Sequence, residues 1–308
     1  MKLWIDTDAG VDDATAILIC LDALHVEIVG ISCVGGNASL SNVIKNVNRT
    51  CKVYGGKSLD IPIYAGCSRA LIQPPMEIPE IHGHDGLGDI KDEDFGINGP
   101  HTTKEEHAIS ALLKAAMDYD DLCILALGPL TNIAVALRMN PLAMQRIKTM
   151  FIMGAAEDGN GNTSPYAEFN WRCDPEAAHI VLTSYPQSRI VLSSWTLTVF
   201  HQIRQEEGKK IFDINNTLLG RFVLDTWKAI LSFTKDIWYM ADPIAGFIAC
   251  YYQLNGVIKE ERLNLSVVLE GERIGMSLAE PSENGVHVVK MIDFEMYKTI
   301  LRKMMSKH

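Results

Sequence analysis

The chain has 308 residues, 47% of them apolar and 21% charged, with a formal net charge of −10. That is a globular composition, and it excludes a disordered or fibrous chain. The surplus of 38 acidic over 28 basic residues speaks against a nucleic-acid backbone or an anionic membrane as partner, and leaves room for a small neutral substrate or a cation.

The seven Cys include no C-x-x-C pair, which fits reduced thiols better than a disulfide framework or a zinc site. The start, MKLWIDTDAG, meets Asp6 too soon for a secretory apolar segment, and no run of about 18 apolar residues could span a bilayer. A soluble, cytoplasmic protein is expected.

Residues 3–5 read as a short strand, 7–13 as a turn of small and acidic residues, 14–24 as a helix and 26–34 as a buried strand. Strand, helix and strand at this spacing imply a parallel sheet. The alternation continues with a helix over 42–54, a strand over 61–64, a helix over 105–117 and a strand over 122–127. A helix over 132–138, a strand over 149–153, a helix over 175–183 and a strand over 189–192 follow. From 203 to 238 the pattern turns helical and aromatic; a hairpin beginning at 263–270 and a strand over 287–292 close the chain.

Near-continuous apolar strands between helices mark a sheet buried on both faces. The expectation is an α/β fold with a Rossmann-like, mostly parallel central sheet and flanking helices. It forms a single compact domain over 1–308, with a mainly helical insert around 203–240. Ligands of such sheets gather at the carboxyl ends of the strands.

The sharpest feature follows the first strand: Asp6-Thr7-Asp8-Ala9-Gly10-Val11-Asp12-Asp13. Four carboxylates in eight residues repel one another unless something neutralises them. A helix N-terminus accounts for one or two of them. A hard divalent cation, Ca²⁺ or Mg²⁺, held by carboxylate oxygens accounts for the rest. D-x-D after a first strand also suggests a phosphoaspartyl phosphatase, but the following Ala-Gly-Val-Asp-Asp matches that pattern poorly.

The whole motif resembles the N-terminal D-x-D-x-G-x-D-D signature of the nucleoside hydrolases, the inosine-uridine preferring N-ribohydrolase family. Other stretches agree in order: Val34-Gly35-Gly36-Asn37, then Ile81-His82-Gly83-His84-Asp85-Gly86, and Gly128-Pro129-Leu130-Thr131-Asn132-Ile133-Ala134. Gly161-Asn162, Ala167-Glu168-Phe169-Asn170, Asp174-Pro175-Glu176-Ala177-Ala178 and Asp242-Pro243 complete the series.

The resemblance implies Ca²⁺ held by Asp8, Asp13, Asp242 and the backbone carbonyl of Leu127, with Asp8 also activating the attacking water. It implies a ribose clamp in which Asp12 and Asn37 address the 2′-hydroxyl, Asn170 the ring diol, and Asn162 with Glu168 the 3′/5′ side. It further implies a nucleoside as partner and a homo-oligomer, dimer or tetramer. His82 and His84 lie in a Gly-rich loop of the kind that closes over substrates. Asn132 and Asp174 are expected to cap helices.

One position departs from the family. Pyrimidine-tolerant members carry a His just before the late Asp, where it helps the base depart; here that residue is Ala241. Three readings stay open. Trp238 or Tyr239 stacks on a purine; another group such as His82, His84 or Tyr239 protonates the base; or the protein binds nucleoside or ribose with little turnover. The aromatic residues Trp227, Phe233 and Trp238 also fit plain helix core.

Overall fold

The computed structural model describes residues 1–212, 217–235 and 237–307. Its strands are β1 (Lys2–Thr7), β2 (Glu27–Cys33), β3 (Ile63–Ala65), β4 (Leu122–Ala126), β5 (Thr149–Met153) and β6 (Ile190–Ser193). They are followed by β7 (Ile203–Arg204), β8 (Ile237–Trp238), β9 (Val257–Val267), β10 (Ser277–Pro281) and β11 (Val286–Ile292). Nine of them form one sheet in the order β10-β9-β11-β6-β5-β4-β1-β2-β3, and β7 pairs with β8 apart from it. Every pairing from β11 to β3 is parallel, and β9 and β10 extend the sheet antiparallel.

The apolar runs explain why the sheet is covered on both sides. In β1, Leu3 and Ile5 point into one buried cluster while Trp4 points into the other, as the two-residue repeat of a strand requires. The strand order reverses between β1 and β4, and a crevice opens at such a switch point. Both strands end there, at Thr7 and Ala126.

Two helices carry the acidic residues to this crevice. Helix α1 (Val11–Asp22) begins three residues earlier than the sequence pattern indicated, because Gly10 is extended at the N-cap and its N–H is taken by the Asp13 carboxylate at 2.9 Å. Asp12 and Asp13 therefore lie in the first helical turn. The helix Ala241–Tyr251 places Asp242 in its own first turn. The two run side by side in the same direction: Asp12, Asp13 and Asp242 meet at one end, and the Cys20 and Cys250 sulfurs lie 3.7 Å apart toward the other. Both positive dipole ends thus face the same carboxylates.

The segment 203–240 contains the helices Gln205–Phe212, Leu218–Thr226 and Lys228–Phe233 between β7 and β8; residues 213–216 and 236 lie outside the described residues. At the C-terminus, β9 starts at Val257 rather than near residue 263, since its first half is polar and largely exposed and lacks the apolar alternation that marks a strand. The helix Phe294–Lys307 follows β11.

Candidate active site

The acidic turn is held by its own side chains. Thr7 Oγ1 donates to Asp13 Oδ1 and accepts from the Ala9 N–H at 3.0 Å. Asp13 Oδ2 accepts from Gly10 N–H at 2.9 Å and from Asn37 Nδ2 at 3.1 Å. Asp8 Oδ2 accepts from the Asn37 N–H at 2.7 Å, whereas its Oδ1 is buried and has no protein partner. Gly36 and Gly128 flank Asp8 so tightly that a β-carbon at either would meet its carboxylate.

Asp12, Asp13 and Asp242 each offer an oxygen within 4.8 Å of the others. Burial, and then the charge of Asp13, pushes the Asp8 carboxyl well above the usual range. Burial, then Asp13, raises Asp12 to about 7; burial, then Asp12 and Asp13, raises Asp242 well up. Carboxylates drawn together against their repulsion in a buried site, one with an unpartnered oxygen, are a donor set suited to a hard divalent cation. The three carboxylates that meet include Asp12, expected on the sugar, and do not include Asp8, expected as a ligand, whose Oδ2 is held by the Asn37 N–H.

The remaining polar residues converge on the same crevice. Asn37, Leu127, Asn162, Glu168 and Asn170 line a cleft of about 500 Å³ together with Asp12 and Asp242. Asn170 is buried, and its Nδ2 donates to the Leu127 carbonyl at 2.6 Å and the Met153 carbonyl at 3.3 Å. Glu168 is the N-cap of Phe169–Cys173: its oxygens accept from the Asn170, Trp171 and Ala155 N–H groups, while burial raises its carboxyl to about 7. Asn162 is exposed at the rim, and its Oδ1 accepts from Phe169 N–H at 2.8 Å.

His82 lines the cleft from the helix α3 (Pro79–His82). Its Nδ1 accepts from the Val11 N–H at 3.1 Å, and burial lowers its pKa to about 4. The ring is therefore neutral at physiological pH with its proton on Nε2, a donor but no ready acid. His84 is exposed and pairs with Asp89 at 3.2 Å.

Trp238 requires a correction. It is fully buried among Phe212 and Trp227, with ring centroids 4.8 Å from each, and is core rather than cleft. The aromatic wall is instead Trp195 and Tyr239, 5.3 Å apart and tilted by 41°, with Phe169 and Phe233 also in the lining. Sequence reasoning gave Trp195 no role, although its place just past the end of β6 was the available signal. Ala241 lines the cleft beside Asp242.

Asp174 caps its helix as expected, accepting from Ala177 N–H at 3.0 Å. Asn132 does not cap; its side chain ties Asp6 Oδ1 (2.8 Å), the Cys33 carbonyl (3.2 Å) and the Cys67 N–H (2.8 Å) together across three strand ends.

Residues 3–299 match the family profile described as inosine-uridine preferring nucleoside hydrolase. The chain belongs to that family. It is an N-ribohydrolase, an enzyme that hydrolyses the N-glycosidic bond of ribonucleosides. It is 29% identical over 309 residues to the inosine-uridine preferring nucleoside hydrolase of Crithidia fasciculata, covering 96% of this chain and 94% of that one. To the pyrimidine-specific ribonucleoside hydrolase RihB of Escherichia coli it is 36% identical over 186 residues, which span 59% of this chain and 56% of RihB.

Among solved structures, an inosine-guanosine nucleoside hydrolase superposes with a TM-score of 0.88 at 27% identity, covering 99% of this chain and 98% of that one. The purine-preferring ribonucleoside hydrolase of Gardnerella vaginalis gives 0.87 at 25%, with the same coverage. Among the described residues of this nucleoside hydrolase, no helix is long and apolar enough to cross a membrane.

Proposed function

We propose that this nucleoside hydrolase is calcium-dependent, that Asp8 takes the proton of the attacking water, and that purine ribonucleosides are its preferred substrates. Asp8, Asp13, Asp242 and the Leu127 carbonyl would hold the ion; Asp13 and Asp242 meet Asp12 in one cluster, and Leu127 lines the cleft beside them. When bound, the calcium supplies positive charge that favours loss of a proton from water and binds sugar hydroxyls.

The observation that carries the reading is the buried Asp8 Oδ1, which has no protein partner while Oδ2 is fixed by Asn37. A carboxylate with one oxygen anchored and one free is oriented to accept a proton. As water attacks C1′, the C1′–N bond breaks, its electron pair leaves with the base, and the proton from water rests on Asp8. The sugar passes through an oxocarbenium-like state, which the surrounding carboxylates stabilise. Asp12, Asn37, Asn162, Glu168 and Asn170 grip the ribose.

Two observations favour a purine. Ala241 offers no acid beside Asp242, and His82 stays neutral until about pH 4, so no histidine of the cleft lining stands ready to protonate a pyrimidine. Trp195 and Tyr239 present rings on which a large base can stack. A purine stacked there takes its proton from solvent. We also infer a cytoplasmic homo-oligomer, a dimer or tetramer, which sedimentation of the purified protein would test.

Reducing-sugar release from inosine, adenosine, guanosine, uridine and cytidine tests the assignment. Asp8→Asn should lower kcat by at least about 100-fold while circular dichroism stays native. Unchanged turnover in that variant would overturn the role of Asp8, and faster release from uridine than from inosine would overturn the purine preference.

A further inference from the structure

We propose that Asn46 is a positioning residue for the reaction, one that fixes the strained turn carrying Asp8 and joins it to the loop that carries His82. Asn46 is fully buried in the middle of helix α2 (Leu40–Tyr54), yet neither hydrogen of its amide goes to its own helix. One donates to the Ala9 carbonyl at 3.2 Å, the other to the Asp85 carbonyl at 2.8 Å. Its Oδ1 accepts from Arg49 Nη1 at 3.4 Å.

The first bond matters because Ala9 sits at φ 37°, in the region that residues with a β-carbon avoid. Such a backbone costs about 1–3 kcal/mol and persists only where its surroundings over-determine it. Here the Ala9 N–H is held by Thr7 Oγ1 at 3.0 Å and the Ala9 carbonyl by Asn46. Ala9 is the residue directly after Asp8, so releasing its carbonyl lets the peptide relax and turns the Asp8 carboxylate.

The second bond leads to the loop. Arg49, one turn after Asn46 on the same helix, forms ion pairs with Asp85 at 2.5 Å and Asp92 at 2.6 Å. Asp85 Oδ1 in turn accepts from the N–H groups of Leu87 and Asp89, and the Gly88 N–H donates to the His82 carbonyl at 2.7 Å. His82 closes the ring by accepting from Val11 N–H. The acidic turn and the loop are thus joined twice, once through Asn46 and once through His82.

Asn46→Leu keeps the volume and removes both donors. Steady-state kinetics on the best nucleoside, calcium binding by titration calorimetry and thermal unfolding of the metal-free protein are read together. The expected result is a kcat lower by about 30- to 100-fold, calcium affinity weaker by about 10-fold and a KM within about 3-fold of the parent. Adding Ala9→Gly to Asn46→Leu should recover part of the lost kcat, because glycine holds a positive φ without outside help.

A lower unfolding temperature with kcat and calcium affinity within 2-fold of the parent (roughly the precision of such measurements) would overturn the proposal, as would no recovery on adding Ala9→Gly. Asn46→Ser, which leaves room for water, is the variant to read if Asn46→Leu is recovered unfolded. The inference rests on Asp8 being the reactive carboxylate. If that reading fails, Asp8→Asn is active; if only this one fails, Asp8→Asn is dead and Asn46→Leu is not.

Discussion

The floor of the cleft is built at strand ends and helix starts, with its polar groups held by hydrogen bonds, whereas its roof is made of short helices leaning on one another. On the floor, Asp8, Asp13, Asn37, Glu168 and Asn170 each bond to a named backbone or side-chain group. The roof comes from α3 and the helix Lys228–Phe233, of four and six residues, too short to be stable alone. Phe233 is 59% exposed there. The contrast separates two tasks: bond cleavage is assigned to groups preorganised by their hydrogen bonds, and base choice to a wall whose shape depends on packing.

The largest effect should come from the floor. Asp242→Asn removes one carboxylate from the cluster with Asp12 and Asp13 and should lower kcat/KM by about 1,000-fold, as should chelation of the metal from the parent protein. Calcium should also raise the unfolding temperature of the parent, and by more at pH 8 than at pH 5. The sign follows from the raised carboxyl pKa values, about 7 for Asp12. Without metal, the folded state keeps protons that the unfolded chain has already lost, so stability falls as pH rises through that range. A cation competes with those protons and restores the loss. At 100 times its Kd the gain is about 2.7 kcal/mol. A calcium effect that shrinks with rising pH would remove the cluster as the binding site.

A smaller effect should come from the aromatic wall. Trp195→Ala should raise KM for inosine by about 5- to 150-fold, the usual worth of one base–aromatic stack. Its calcium-dependent rise in unfolding temperature should match the parent. If Trp195→Ala also weakens calcium binding, the division between floor and wall is wrong.

The same division governs what could be read from the sequence. Asp8, Asp12 and Asp13 stand out because they lie within one turn of chain, whereas Asn37 and Leu127 enter through the family resemblance. Asp242 is far away in sequence, and only the family resemblance brought it in. Local pattern placed the start of α1 late because Val11, Asp12 and Asp13 lack an apolar repeat; the Gly10–Asp13 contact that sets the boundary is a property of the folded turn. Trp238 and Tyr239 are adjacent and chemically alike, so nothing in the sequence says which one enters the cleft. The packing of Trp238 between Phe212 and Trp227 decides it. Asn132 looked like a cap because of its place at a helix start, and its three partners come from other strand ends.

The smallest expected effect tests a histidine outside both regions. His201 is buried between Phe200 and Phe294, at centroid distances of 4.9 and 4.8 Å, and its Nε2 accepts from Ile292 N–H at 3.3 Å. Burial lowers its pKa to about 4, against about 6.5 in an unfolded chain. As pH falls from 6.5 toward 4 the unfolded state therefore binds a proton that the native ring refuses, and stability falls. His201→Gln keeps an acceptor for Ile292 and removes that titration. Denaturant unfolding at pH 7 and pH 5 should show the variant losing less stability than the parent, by at most about 1 kcal/mol once solvent screening is allowed for. The same histidine should leave kcat and calcium affinity alone, because it touches neither the carboxylates nor the wall. Parallel losses in variant and parent would mean that the native His201 ring takes up its proton as readily as the unfolded one.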